Sequence, residues 1–89
     1  MAGSLRLHVH TPERELVDAD VREVTAEGAL GQIGVLPDHA ALVTALEPGE
    51  LSYRDAANAL VRLRLGAGFA EVRDNVMTVL AESGERLAG

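Results

Sequence analysis

The sequence predicts an all-β fold, an antiparallel β-sandwich of about nine to ten short strands. Three observations predict it. Apolar and polar residues alternate in Leu5–His10, Glu50–Arg54 and Val61–Leu65, the two-residue period of a half-buried strand. Turn signals such as Thr11-Pro12, Pro37-Asp38, Glu47-Pro48-Gly49 and Asp74-Asn75 recur roughly every 8–12 residues. No stretch demands a helix.

The elements follow in order. Leu5, Leu7 and Val9 alternate with Arg6, His8 and His10, giving a first strand that Pro12 ends, because proline cannot donate to a ladder. Glu15-Leu16-Val17 is a short second strand and Asp18-Ala19-Asp20 a turn. Val21–Ala26 is a third strand, with Val21 and Val24 out of phase, which implies a bulge. Gly28, Gly31 and Gly34 then recur every third residue, a spacing that fits neither strand nor helix. They read as a backbone-driven connection into a strand at Gln32–Leu36. Ala41–Leu46 is apolar on both faces and reads as central. Leu51 and Tyr53 share one face of the next strand. Asp55–Ala59 could start a helix with Asp55 as N-cap, but between two alternating runs it is better read as a hairpin loop. Val61–Leu65, Phe69–Arg73 and Val76–Ala81 complete the strands. Gly66-Ala67-Gly68 is a bulge or tight connection, and Ser83–Gly89 a polar tail.

Eighty-nine residues make one domain, over residues 1–84, with a tail at 85–89. Phe69 and Tyr53 are the only aromatic residues, so the core must be aliphatic. Cysteine is absent, which excludes disulfides and thiolate metal sites. A net charge of −6 argues against nucleic acid, and no basic stripe offers itself to anionic lipid. The first residues lack the apolar segment of a secretory signal.

Candidate chemistry is sparse. His8 and His10 share a strand face, a spacing metal sites use, and with Glu15 they match the start of a cupin motif. The glycine that motif expects is Arg22, and no later histidine completes a ligand set, so a solvated strand face and no metal are expected. Glu13, Glu15, Asp18 and Asp20 read as a solvated acidic cluster rather than an acid–base pair. The glycine-spaced segment lacks the GK[ST] ending of a phosphate loop. No serine sits on a nucleophile elbow. No catalytic residue and no cofactor are therefore expected.

The segment Gly28-x-x-Gly31-x-x-Gly34-Val35-x-Pro37-x-His39-Ala40 resembles the N-terminal β-sandwich of the epsilon subunit of F-type ATP synthases. Thr11-Pro12-Glu13-Arg14-Glu15, Val24-Thr25-Ala26, Thr44-Ala45-Leu46-x-Pro48-Gly49, Gly66-Ala67-Gly68-Phe69-x-Glu71-Val72 and Thr78–Glu82 extend the resemblance over residues 5 to about 86. It implies a non-catalytic rotor-stalk subunit. Its expected partners are the gamma subunit and the cytoplasmic loops of the c-ring, and it would reach the cytoplasmic face of the energy-transducing membrane only through the complex. It implies interface roles for Thr11, Gln32, Pro37, Asp38 and His39, and turn roles for Gly28, Gly31, Gly34 and Gly68. His39 is read either as facing the c-ring or as a partly buried histidine bonding its turn. The family commonly has Glu where Gln32 stands, Gly where Asp38 stands, and Gly where Ala67 stands. Its C-terminal helical hairpin would begin where this sequence stops, so a short or a cut member is expected. Two rival readings are a small cupin-like metalloprotein using His8 and His10, and a generic β-sandwich adaptor.

Overall fold

The computed structural model describes residues 4–87, and no helix forms among them. Nine strands do: β1 (Leu5–His10), β2 (Glu15–Gly28), β3 (Gly31–Val35), β4 (Leu42–Leu46), β5 (Gly49–Asp55), β6 (Leu60–Leu65), β7 (Gly68–Arg73), β8 (Val76–Ala81) and β9 (Gly84–Arg86). Their hydrogen-bonded order is β1-β8-β7-β4-β2-β5-β6-β9, with β3 and β1 also paired to β2. β2 thus serves both layers. Its first part pairs with β1, and its second part lies between β3 and β5. The expected bulge falls where it passes from one layer to the other, between Val21 and Glu23.

The alternation read from the sequence decides which side chains enter the core. Leu5, Leu7 and Val9 are buried, as are Leu51 and Tyr53 on β5, Leu63 and Leu65 on β6, Ala70 and Val72 on β7, and Met77 and Val79 on β8. The buried set contains no polar or charged residue. Asp55 closes the β5–β6 hairpin by accepting bonds from the backbone N–H of Ala57 and Ala59, each at 2.9 Å. That settles Asp55–Ala59 as a loop. Asp74 and Asn75 both take positive φ, 53° and 62°, as a two-residue type I′ turn requires.

Four expectations need correction. The sandwich is not wholly antiparallel, because β1 runs parallel to β8. A parallel pair needs a long crossover, and the chain between β1 and β8 supplies one. Asp18-Ala19-Asp20 is not a turn but the middle of the long β2. The two aspartates face Arg6 on β1, while Val17 and Val21 point inward, so the acids fill the outer half of an ordinary alternation. β4 is not buried on both faces: it pairs with β7 throughout but meets β2 only at Leu46–Gly28, and Val43 and Ala45 are exposed. Within the expected polar tail, Gly84–Arg86 adds a strand to β6; Ala88 and Gly89 lie outside the described residues.

Candidate docking face

The outer face of β4, β7, β8, β1 and the first part of β2 is ordered by register into cross-strand rows. One row runs Ala45, Phe69, Leu80, His10, Glu15; the next runs Val43, Glu71, Thr78, His8, Asp18. The β4–β7–β8 end is apolar and the β1–β2 end is charged. Val43, Phe69 and Leu80 are 73%, 63% and 55% exposed. A shallow groove of about 90 Å³ lies between them, bounded also by Glu71 and Thr78. Contiguous exposed apolar side chains make this face a candidate for docking.

At the charged end, Arg6 bridges Asp18 at 2.7 Å and Asp20 at 3.2 Å. Its guanidinium is raised above its ordinary value, chiefly by the hydrogen bond to Asp20 and then by that to Asp18. Beside them, His8 Nδ1 and His10 Nε2 lie 3.7 and 3.5 Å from Glu15 Oε2.

The residues singled out for an interface fall into three local arrangements. Leu36-Pro37-Asp38-His39 is a closed turn in which the His39 N–H donates to the Leu36 carbonyl at 3.1 Å. Asp38 takes φ 67° at its third position, so the turn is type II, the geometry that favours glycine there. Asn75 holds it on two sides. The Asp38 N–H donates to Asn75 Oδ1, and Asn75 Nδ2 donates to Asp38 Oδ1 at 3.0 Å. Half-buried His39 places Nδ1 2.7 Å from the Ala40 carbonyl. Gln32 is exposed on β3 and donates to Glu27, its cross-strand partner, at 3.2 Å. Thr11 closes the loop to Arg14. It follows His10, which pairs with Leu80, whereas Asn75 precedes Val76; Thr11 and Asp38 therefore lie at opposite ends of β8.

The glycines divide as well. Gly31, after the β2–β3 turn, takes φ 124°. At Gly28 a Cβ would stand 2.8 Å from the Gly31 carbonyl oxygen, and at Gly68 one would strike the Leu80 carbonyl. Gly34 is not a turn residue: it lies within β3, with open space where a Cβ would go.

Sequence reading did not single out Val43, Phe69 and Leu80. A signal existed for Phe69, which shares its parity with Glu71 and Arg73 rather than with Ala70 and Val72. An aromatic on the charged parity of a strand points outward.

The model of the family "ATP synthase, Delta/Epsilon chain, beta-sandwich domain" matches residues 4–87. The chain is 43% identical over 86 residues to the ATP synthase epsilon chain of Geobacter sulfurreducens, covering 97% of this chain and 62% of that one. It is 46% identical over 86 residues to the epsilon chain of Desulfosudis oleivorans, covering 97% and 65%. It thus spans a little under two thirds of these curated relatives. Among solved structures, its fold matches a chain of the Euglena gracilis mitochondrial ATP synthase (OSCP/F1/c-ring) with TM-score 0.90 at 22% identity, over 97% of this chain and 55% of that one. It also matches a chain of the Tetrahymena thermophila mitochondrial ATP synthase central stalk/c-ring with TM-score 0.79 at 20% identity, over 91% and 65%. With sequence and fold in agreement, the chain belongs to the family of ATP synthase delta/epsilon chain β-sandwich domains.

Proposed function

We propose that this domain is a non-catalytic docking module of the central stalk of an F-type ATP synthase, joining the gamma subunit to the c-ring at the cytoplasmic face of an energy-transducing membrane. The observation that carries this reading is the apolar end of the outer sheet face, where Val43, Phe69 and Leu80 lie exposed on three neighbouring strands. An aliphatic and aromatic patch on a rigid sheet suits the apolar stripe of a long helix, and we assign it to gamma. Thr11, just past His10 and so beside Leu80, borders that face. The polar set, Gln32 and the turn Pro37-Asp38-His39, is assigned to the c-ring loops. Polar contacts there set register more than affinity. Rotation needs such a subunit to hold two partners firmly, not to react.

The test is co-elution of the purified chain with isolated gamma and with a gamma–c-ring rotor. The expected result is one chain per gamma and tighter retention by the rotor. Failure to associate with either would overturn the proposal.

A further inference from the structure

We propose that His8, His10 and Glu15 form a binding site for a divalent transition-metal ion of the zinc class, clipping β1 to β2. The sequence offers two imidazoles on one strand face and Glu15 at the spacing of a cupin motif, but no reason for the three to meet. The register supplies one. Between Val9 and His10 the β1–β2 pairing shifts, so that Val9 faces Val17 but His10 faces Glu15. Without that shift His10 would stand opposite the aliphatic Leu16. One irregularity in the ladder therefore brings a carboxylate to both histidines.

The separations suit an ion. Glu15 Oε2 lies 3.7 Å from His8 Nδ1 and 3.5 Å from His10 Nε2, and one ligand atom from each of the three residues lies within 4.8 Å of the others. A tetrahedral ion with bonds of ~2.0–2.1 Å holds its ligand atoms about 3.3–3.4 Å apart. The two rings stack, 6.0 Å between centroids and 11° between planes, so both outward-facing imidazoles must rotate about their side-chain torsions to converge on one ion.

The surroundings favour a cation. Asp18 Oδ1 is 3.3 Å from His8 Nδ1 and is itself fixed by Arg6. With neutral imidazoles, Glu15, Asp18 and Asp20 outweigh Arg6. On the other side β8 presents Thr78 and Leu80, neither charged. Two nitrogen donors and one oxygen select zinc, copper or nickel over magnesium or calcium. Three protein ligands leave a position for water.

Isothermal titration of the 89-residue chain with zinc alone tests this, with cobalt absorption as a second readout. One ion per chain is expected, together with the intense visible bands of four-coordinate cobalt. His8→Ala, His10→Ala and Glu15→Gln should each weaken uptake by about tenfold or more, while His39→Ala should not. All three side chains point outward, and circular dichroism checks that the variants fold. Should an alanine variant unfold, Glu15→Gln and the wild-type cobalt spectrum still decide. Lack of stoichiometric uptake at micromolar zinc, or uptake that survives loss of both histidines, would overturn the proposal. Neither result decides docking to gamma, which is tested separately by co-elution with gamma and the rotor.

Discussion

Replacing Phe69 by Ala separates docking from folding. The side chain is 63% exposed, so most of its surface is open to solvent. An aromatic side chain buries ~150–250 Å² when enclosed, which leaves roughly 100–150 Å² for a partner. At about 25 cal/mol per Å² that is ~3 kcal/mol of apolar burial. Part is spent on ordering at the interface, so the expected loss is about 2–3 kcal/mol, or roughly 30- to 150-fold in Kd. The folded domain should hardly notice, with a change of about 0.5 kcal/mol or less. The contrasting change is Tyr53→Ala, in a side chain 5% exposed, which should cost folding about 3–5 kcal/mol. The assay is calorimetric titration of Phe69→Ala into gamma, at low and high salt, beside its thermal melt. Apolar docking should survive salt that screens ion pairs. A folded Phe69→Ala chain that binds gamma as tightly as the original would refute the assignment of this face. A melt as poor as that of Tyr53→Ala would refute the claim that Phe69 lies outside the core.

Other outcomes follow from single positions. Gly31→Ala forces a side chain to φ 124° and should cost about 1–3 kcal/mol, whereas Gly34→Ala has open space and should be neutral or stabilising by up to about 1 kcal/mol. Equal melting temperatures for the two would contradict the backbone described. Asp38→Asn tolerates the left-handed backbone and can still accept from Asn75, so its melt should match the original within about 0.5 kcal/mol. Asp38→Ala loses both features and should fall by about 1–2 kcal/mol in a denaturant titration. If Asp38 also supplies charge to the c-ring loops, Asp38→Asn should loosen ring binding modestly at low salt only. Equal ring affinity there would leave the turn as its sole role.

Most of the sandwich was legible because burial on one face writes a two-residue period. Leu5, Leu7 and Val9 could be placed inward from that alone, and Leu51 with Tyr53 likewise. Asp18-Ala19-Asp20 misled because its composition is that of a turn; what keeps it extended is the backbone ladder to β1, a strand that only the fold brings alongside, and the burial of Val17 and Val21 on either side. The same limit hid the parallel β1–β8 pair, since nothing local encodes which distant strand becomes a neighbour. β4 looked central because Val43 and Ala45 are apolar, but apolar residues can also stand on an exposed face, as these two do. At the histidines all three donors, Glu15 included, were legible from spacing, while their meeting depends on a register shift that no residue type announces.

The pairing of β1 with β8 also has a consequence in time. Arg6 pairs with Val76 and His10 with Leu80, so β1 cannot gain this neighbour until β2 to β7 have been synthesised. The β5–β6 and β7–β8 hairpins can zip locally, and β2 can recruit β3 through its short turn. β1 can rest only against the first part of β2 until β8 arrives. Closure of this layer is the most non-local step, and such topologies fold in milliseconds to seconds rather than microseconds. During synthesis the open edge of β1 is then the part most exposed to wrong pairing. The alternating Arg6, His8 and His10 on its outer side guard that edge as it waits, because charged and polar side chains discourage strands from other chains.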